Sequence, residues 1–173
     1  MRKLLILILT CVLTGIIFAG CSEKNSASNA AEKFPTFATV DLKGNEVTNK
    51  IFAQKKITVV NIWGTFCPPC IGEMPELGEW ARNMPADAQI IGLICDVRGK
   101  DDAQTIDAAK KILTEANADF VNLLPNEQVA EYLQKVEFVP TTIFVDAQGN
   151  IVGEAVIGAD VAKYKQAVEN FLK

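Results

Sequence analysis

Two cysteines, Cys67 and Cys70, stand two residues apart in the stretch Gly64-Thr65-Phe66-Cys67-Pro68-Pro69-Cys70 of a chain that contains no histidine. A thiol pair at this spacing can hold a soft metal, close a short bridge, or exchange electrons with another disulfide. A zinc ribbon needs a second pair, and the other cysteines, Cys11, Cys21 and Cys95, stand singly. A two-thiolate copper site stays open on these residues alone. A bridge across two residues removes little freedom from the unfolded chain, so it explains little as a staple.

Electron exchange uses all the local features. A cysteine at a helix start meets the positive end of the helix dipole and its free N–H groups, which favour the attacking thiolate. Cys70, one turn later, faces the same side and can displace Cys67 from a mixed disulfide. Pro68 and Pro69 carry no N–H, so they alter the donors around that thiolate.

The missing histidine excludes Ser-His-Asp and Cys-His hydrolysis and histidine metal sites, and Ile71 after Cys70 excludes C-x-x-C-H haem attachment. A formal charge of −4 with no basic stripe excludes a nucleic-acid binder, since phosphates are held by clustered Lys and Arg. The 173 residues, 49% of them hydrophobic, suffice for one domain whose core needs no metal to fold.

The elements that must position the dithiol alternate in an α/β pattern from Phe34 onward. Phe37 to Leu42 and Glu46-Val47, around Lys43-Gly44-Asn45, predict an opening hairpin. Thr58 to Trp63 predicts a buried central strand, and Cys67 to Met84 a helix kinked at Pro75. Gln89 to Cys95 and Val121 to Leu124 read as further strands, and Asn126 to Lys135 as a short helix. Asp101 and Asp102 favour a helix start, followed by Ile106, Ala109, Leu113 and Ala116 at helical spacing. Thr141 to Val145 and Ile151 to Val156 flank Ala147-Gln148-Gly149-Asn150 as a hairpin. Val161, Tyr164, Val168, Phe171 and Leu172 line one face of a closing helix. No internal repeat and no second domain is visible.

Residues 1–20 read as a signal: Met1-Arg2-Lys3 is positive, and Leu4 to Gly20 is uncharged and largely apolar. Phe18-Ala19-Gly20-Cys21 resembles a bacterial lipoprotein box, with phenylalanine where leucine is usual, and this marks Cys21 for lipidation. An uncleaved anchor or an ordinary signal peptide is the alternative, and all three readings put the domain outside the cytoplasm. The polar, aperiodic segment 21–33 then serves as a flexible tether to a domain spanning 34–173.

Val60-Asn61-Ile62-Trp63 running into the cysteine motif, Glu73-Met74-Pro75, and Phe138-Val139-Pro140-Thr141-Thr142 together resemble the TlpA/ResA-type thioredoxin-like thiol-disulfide oxidoreductases. The resemblance implies a thioredoxin fold: a central mixed β-sheet flanked by helices, here with an N-terminal β-hairpin extension. It implies an exposed redox disulfide at the end of the Thr58 to Trp63 strand, with Cys67 as nucleophile and Cys70 as resolving thiol. Pro140 would be a cis-proline that keeps metals off the dithiol, and the Val139 backbone would pair with an extended client. Trp63 and Phe66 would pack around the dithiol and line the substrate site with Val139 and Pro140.

Asn61 stands six residues before Cys67, where thioredoxins proper carry an acid, as is usual for the TlpA/ResA type. Glu73 occupies the place of an acid near the dithiol in ResA-like proteins; burial would raise its pKa and let it take the proton of Cys70, whereas a solvated helix glutamate would do neither. Cys95 reads as a small core residue, with a third redox thiol as the alternative. The peroxidase branch of the fold would need Pro at Val60 and Thr at Gly64, and neither is present.

The implied activity is reduction of disulfides in envelope proteins without a cofactor or metal, in an antioxidant or cytochrome c maturation setting. The implied partners are protein thiol clients, such as apocytochrome c cysteines or a methionine sulfoxide reductase, and a transmembrane thiol donor of the CcdA/DsbD type. The membrane is reached through lipid on Cys21, and a groove beside the dithiol favours a monomer. A thiol oxidase and a non-enzymatic copper-binding lipoprotein are the alternatives.

Overall fold

The computed structural model describes residues 32–173. The chain runs β1 (Ala38–Val40), β2 (Glu46–Thr48), β3 (Ile57–Trp63), α1 (Pro68–Arg82), β4 (Ala88–Ile94), α2 (Ala103–Glu115), β5 (Val121–Leu123), α3 (Glu127–Leu133), β6 (Thr141–Asp146), β7 (Val156–Ile157) and α4 (Val161–Leu172), with a 3-10 helix at Asn49–Gln54 after β2. This is the expected thioredoxin architecture. The main sheet has the order β5-β4-β3-β6-β7, parallel on the β4 and β5 side and antiparallel on the β6 and β7 side. The pair β1-β2 forms the separate antiparallel extension at the N-terminal end.

Every residue of β3 is buried, as its run of β-branched and aromatic side chains requires of a central strand. Its alternation sorts the core into two faces. Ile57, Val59 and Trp63 pack with Met74 and Leu77 of α1, Ala109 and Leu113 of α2, and Tyr164 and Val168 of α4. Val60 and Ile62 pack on the other side with Phe34, Phe37, Phe52 and Val129. Asn61, by the same alternation, points to the α1 and α4 side.

The helices start where the sequence carries capping side chains. Asp102, Asn126 and Asp160 cap α2, α3 and α4 through hydrogen bonds to the N–H groups of Thr105, Val129 and Lys163. The cap of α1 is Cys67 itself, with Pro68 at the first helical position, where its missing N–H costs nothing. The helix continues through Pro75 as one element and ends two residues short of the expected Met84.

Three expectations are corrected. The strand expected over Ile151 to Val156 is interrupted: Ile151 makes a single bridge to Val145, Gly153 turns the chain at φ +69°, and pairing resumes at Val156 and Ile157. Phe171 is exposed, so the buried face of α4 is Val161, Tyr164 and Val168. The domain begins before Phe34, because Lys33 bridges to Asn150 and Ile151 donates its N–H to Glu32 O at 2.6 Å. The expected signal at 1–20, lipidation at Cys21 and most of the 21–33 tether lie outside the described residues.

Candidate redox site

Cys67 and Cys70 are joined by a disulfide where β3 hands the chain to α1. Cys67 Sγ accepts the Cys70 N–H at 3.2 Å, so a free helix-end donor is aimed at the sulfur that would attack. The loop before it is pinned from the turn that follows β4: Asp96 Oδ2 accepts both the Thr65 N–H at 3.0 Å and the Thr65 hydroxyl at 2.6 Å. Cys67 N–H in turn reaches Gly64 O at 3.2 Å.

The opposite wall is the segment entering β6. The Val139–Pro140 peptide is cis, and Val139 O lies 3.5 Å from Cys67 Sγ. With the bridge closed that sulfur carries no hydrogen, so the approach is a contact; an opened Cys67 thiol has an acceptor waiting there. Gly158 N–H holds Pro140 O at 2.8 Å, and the Thr141 hydroxyl holds Phe138 O at 2.8 Å. Val139 and Pro140 are thus brought against the dithiol.

The disulfide is recessed rather than exposed: Cys67 retains 4% of its surface and Cys70 none. The surface nearby in sequence is apolar instead, with Phe66 exposed at 66% and Ile71 and Phe138 also open to solvent. Phe66 therefore projects outward and does not pack around the sulfurs as expected. Trp63 is corrected in the opposite sense. It is fully buried with the cysteines in one core cluster, and its indole N–H is spent on Asn122 Oδ1 at 2.9 Å, so it floors the site and offers a client no surface.

Glu73 is buried, with 5% of its surface left, one turn beyond Cys70. Asn61 Nδ2 donates to its Oε1 at 2.8 Å, and the Tyr164 hydroxyl lies 3.0 Å from its Oε2. Burial pushes its pKa above the ordinary 4.5, the two hydrogen bonds pull the other way, and nearby Glu76 pushes it up again. The reading as a solvated glutamate does not hold.

Tyr164 and Thr142 were legible only as an apolar-face tyrosine and a strand residue, yet both join this polar cluster. The signal was Asn61, a polar residue inside the apolar run Thr58 to Trp63, since a buried amide must find partners. Among the described residues no three Cys, Asp or Glu side chains come together as a metal site. An open groove of about 1100 Å³, lined by Leu42, Met84, Leu113 and Ala118 among others, includes none of the dithiol residues.

The redoxin family model matches residues 29–168, most of the chain and all of this site. The chain belongs to the redoxin family. Among this redoxin's relatives, the thiol-disulfide oxidoreductase ResA of Bacillus thuringiensis (strain Al Hakam) is 26% identical over 173 residues, covering 99% of this chain and 93% of that one. The thioredoxin domain of a thiol-disulfide oxidoreductase from Bacteroides vulgatus superposes with a TM-score of 0.65 at 24% identity, over 83% of this chain and 97% of that one. A thiol:disulfide interchange protein of the thioredoxin family from Chlorobium tepidum TLS gives 0.67 at 18% identity, over 85% and 100%. These two solved structures share the fold. Family, relatives and the Cys67–Cys70 disulfide together make the redoxin a thiol-disulfide oxidoreductase.

Cys95 follows the last residue of β4 and does not join the bridge. Its N–H is held by Trp63 O at 2.8 Å, and burial together with nearby Asp96 pushes its thiol up to about 11. That is the protonated, inert state of a core thiol.

Proposed function

We propose that this redoxin is a lipid-anchored, extracytoplasmic reductant of protein disulfides. The observation that carries the activity is the Cys67–Cys70 disulfide at the N-terminus of α1, with Val139 O 3.5 Å from Cys67 Sγ. In the reduced enzyme the Cys67 thiolate attacks one sulfur of a client disulfide; a mixed disulfide forms and the other client sulfur leaves as thiolate. Cys70 gives its proton to the Glu73 carboxylate and attacks Cys67 Sγ. The Cys67–Cys70 bond closes, and the second client sulfur leaves and is protonated. Two electrons pass from enzyme to client.

The client's chain is received beside Val139 and Pro140, with Phe66 as an apolar contact. The location rests on the charged start, the apolar run and the Phe18-to-Cys21 box. Outside the cytoplasm the spent disulfide needs a fresh electron pair, which a transmembrane thiol carrier of the CcdA/DsbD type supplies. Apocytochrome c cysteines, other envelope thiols or a methionine sulfoxide reductase are the fitting clients.

The test is the reduction potential of the Cys67–Cys70 pair in the full chain, equilibrated in defined thiol buffers. A value near or below roughly −250 mV supports a reductant that depends on a membrane donor. A value near about −120 mV makes the protein a thiol oxidase and overturns the reading. Tight copper binding with no disulfide turnover would make it a metal carrier.

A further inference from the structure

The carboxyl of Glu73 has two protein partners, and neither titrates near neutrality. Asn61 spends both amide hydrogens, one on Glu73 Oε1 at 2.8 Å and one on Thr142 Oγ1 at 3.1 Å, leaving its own Oδ1 without a partner. Reversing the amide would strand two buried hydrogens in place of one oxygen, so its orientation follows from the count. Oε1 is therefore always an acceptor, and a proton arriving on Glu73 must sit on Oε2, facing Tyr164.

The Tyr164 hydroxyl has one hydrogen and two short acceptors, Gly158 O at 2.7 Å and Glu73 Oε2 at 3.0 Å, with the Thr142 hydroxyl also beside it. Its oxygen also lies 3.3 Å from the Asp160 N–H. Both short contacts can be hydrogen bonds together only if Glu73 is protonated, so that the acid donates to Tyr164 and Tyr164 donates to Gly158. With Glu73 ionised, the hydroxyl hydrogen must turn to Oε2, and Gly158 O loses it. The other face of the same residue matters, because Gly158 N–H holds Pro140 O at 2.8 Å.

We infer that Tyr164 is a positioning residue whose hydroxyl hydrogen turns between Gly158 O and Glu73 as Glu73 releases and takes up the proton of Cys70. The tyrosine neither gains nor loses a proton; its hydrogen changes acceptor. The protonation state of the buried acid is thereby coupled to the segment between β7 and α4 that supports Pro140 beside the dithiol. This inference rests on the proton-accepting role proposed for Glu73.

Few other charges face the cluster. From α1 comes Glu76, ion-paired with Lys165 of α4 at 2.8 Å. Asp160 at the start of α4 is paired with Lys163 at 2.9 Å, and β3 and β6 bring the uncharged Asn61 and Thr142. The desolvated phenol is itself pushed up to about 12 and remains protonated throughout.

The experiment measures the pH profile of client-disulfide reduction by the reduced full chain, together with the protonated-carboxyl infrared band, in wild type, Glu73→Gln and Tyr164→Phe. Loss of the hydroxyl removes a donor from the carboxylate, so the Glu73 midpoint should move up by about one pH unit in Tyr164→Phe. In the Glu73→Gln background Tyr164→Phe should leave the profile unchanged. If Glu73→Gln removes the inflection and Tyr164→Phe leaves its midpoint in place, Tyr164 has no such role while the Glu73 reading stands. If the inflection survives in Glu73→Gln, the Glu73 reading itself fails and takes this inference with it. Should Tyr164→Phe not fold, 3-fluorotyrosine at position 164, a stronger donor, should move the midpoint down, and an unmoved midpoint there overturns the inference equally.

Discussion

Trp63 and Asn122 are tied across the sheet: the indole N–H at the end of β3 donates to Asn122 Oδ1 of β5 at 2.9 Å, passing over Gly92 of β4. The bond satisfies both buried polar groups and fixes the aromatic floor beneath the disulfide. A Cβ at Gly92 would overlap the Asn122 amide, reaching 2.7 Å from its Cγ and 3.0 Å from Trp63 Nε1. Gly92→Ala should therefore cost about 1–3 kcal/mol, because neither neighbour can retreat in a packed core. Denaturant unfolding of the oxidised protein checks this through a lower midpoint at unchanged slope.

Glu73 makes stability depend on pH with a definite sign. Its folded pKa lies above the ordinary 4.5 because burial outweighs its hydrogen bonds. The folded state therefore holds the proton more tightly than the unfolded chain, and wild type loses stability as pH rises from the unfolded value through the folded one. Glu73→Gln removes that penalty. Its stability relative to wild type should rise across this window and level off above it; a pH-independent difference would contradict the assignment.

Cys95 should be silent in thiol chemistry. With its pKa pushed up to about 11, only about one molecule in a thousand carries the thiolate at pH 8. Brief alkylation of the reduced, folded protein should label Cys67 first and leave Cys95 unmodified until the chain is unfolded, as peptide mass analysis would show.

The two active cysteines should separate by trapping. Cys70→Ser leaves Cys67 able to attack but with nothing to displace it, so a mixed disulfide with a client peptide should accumulate on non-reducing gels. Cys67→Ser should form none and lose turnover, because Cys70 has no exposed surface.

Near neighbours determined much of this protein. The dithiol at a helix start, the β-rich buried strand Thr58 to Trp63, the helix start at Asp101 and Asp102 and the Gly44 and Gly149 turns all depend on a few adjacent residues, and so they were legible in the sequence. Even there Gly153 interrupts the strand that the hairpin signal around Gly149 had extended from Ile151 to Val156. The tertiary structure decided the rest, because burial belongs to the packing of distant segments. Sequence left Glu73 balanced between a solvated and a buried acid, and the closure of α1 on β3 and α4 buried it between Asn61 and Tyr164. The same closure sealed Trp63 beneath the disulfide and turned Phe66, three residues away, out into solvent. Partners such as Glu73 and Tyr164, 91 residues apart, meet only once the sheet has formed, and no local pattern announces them.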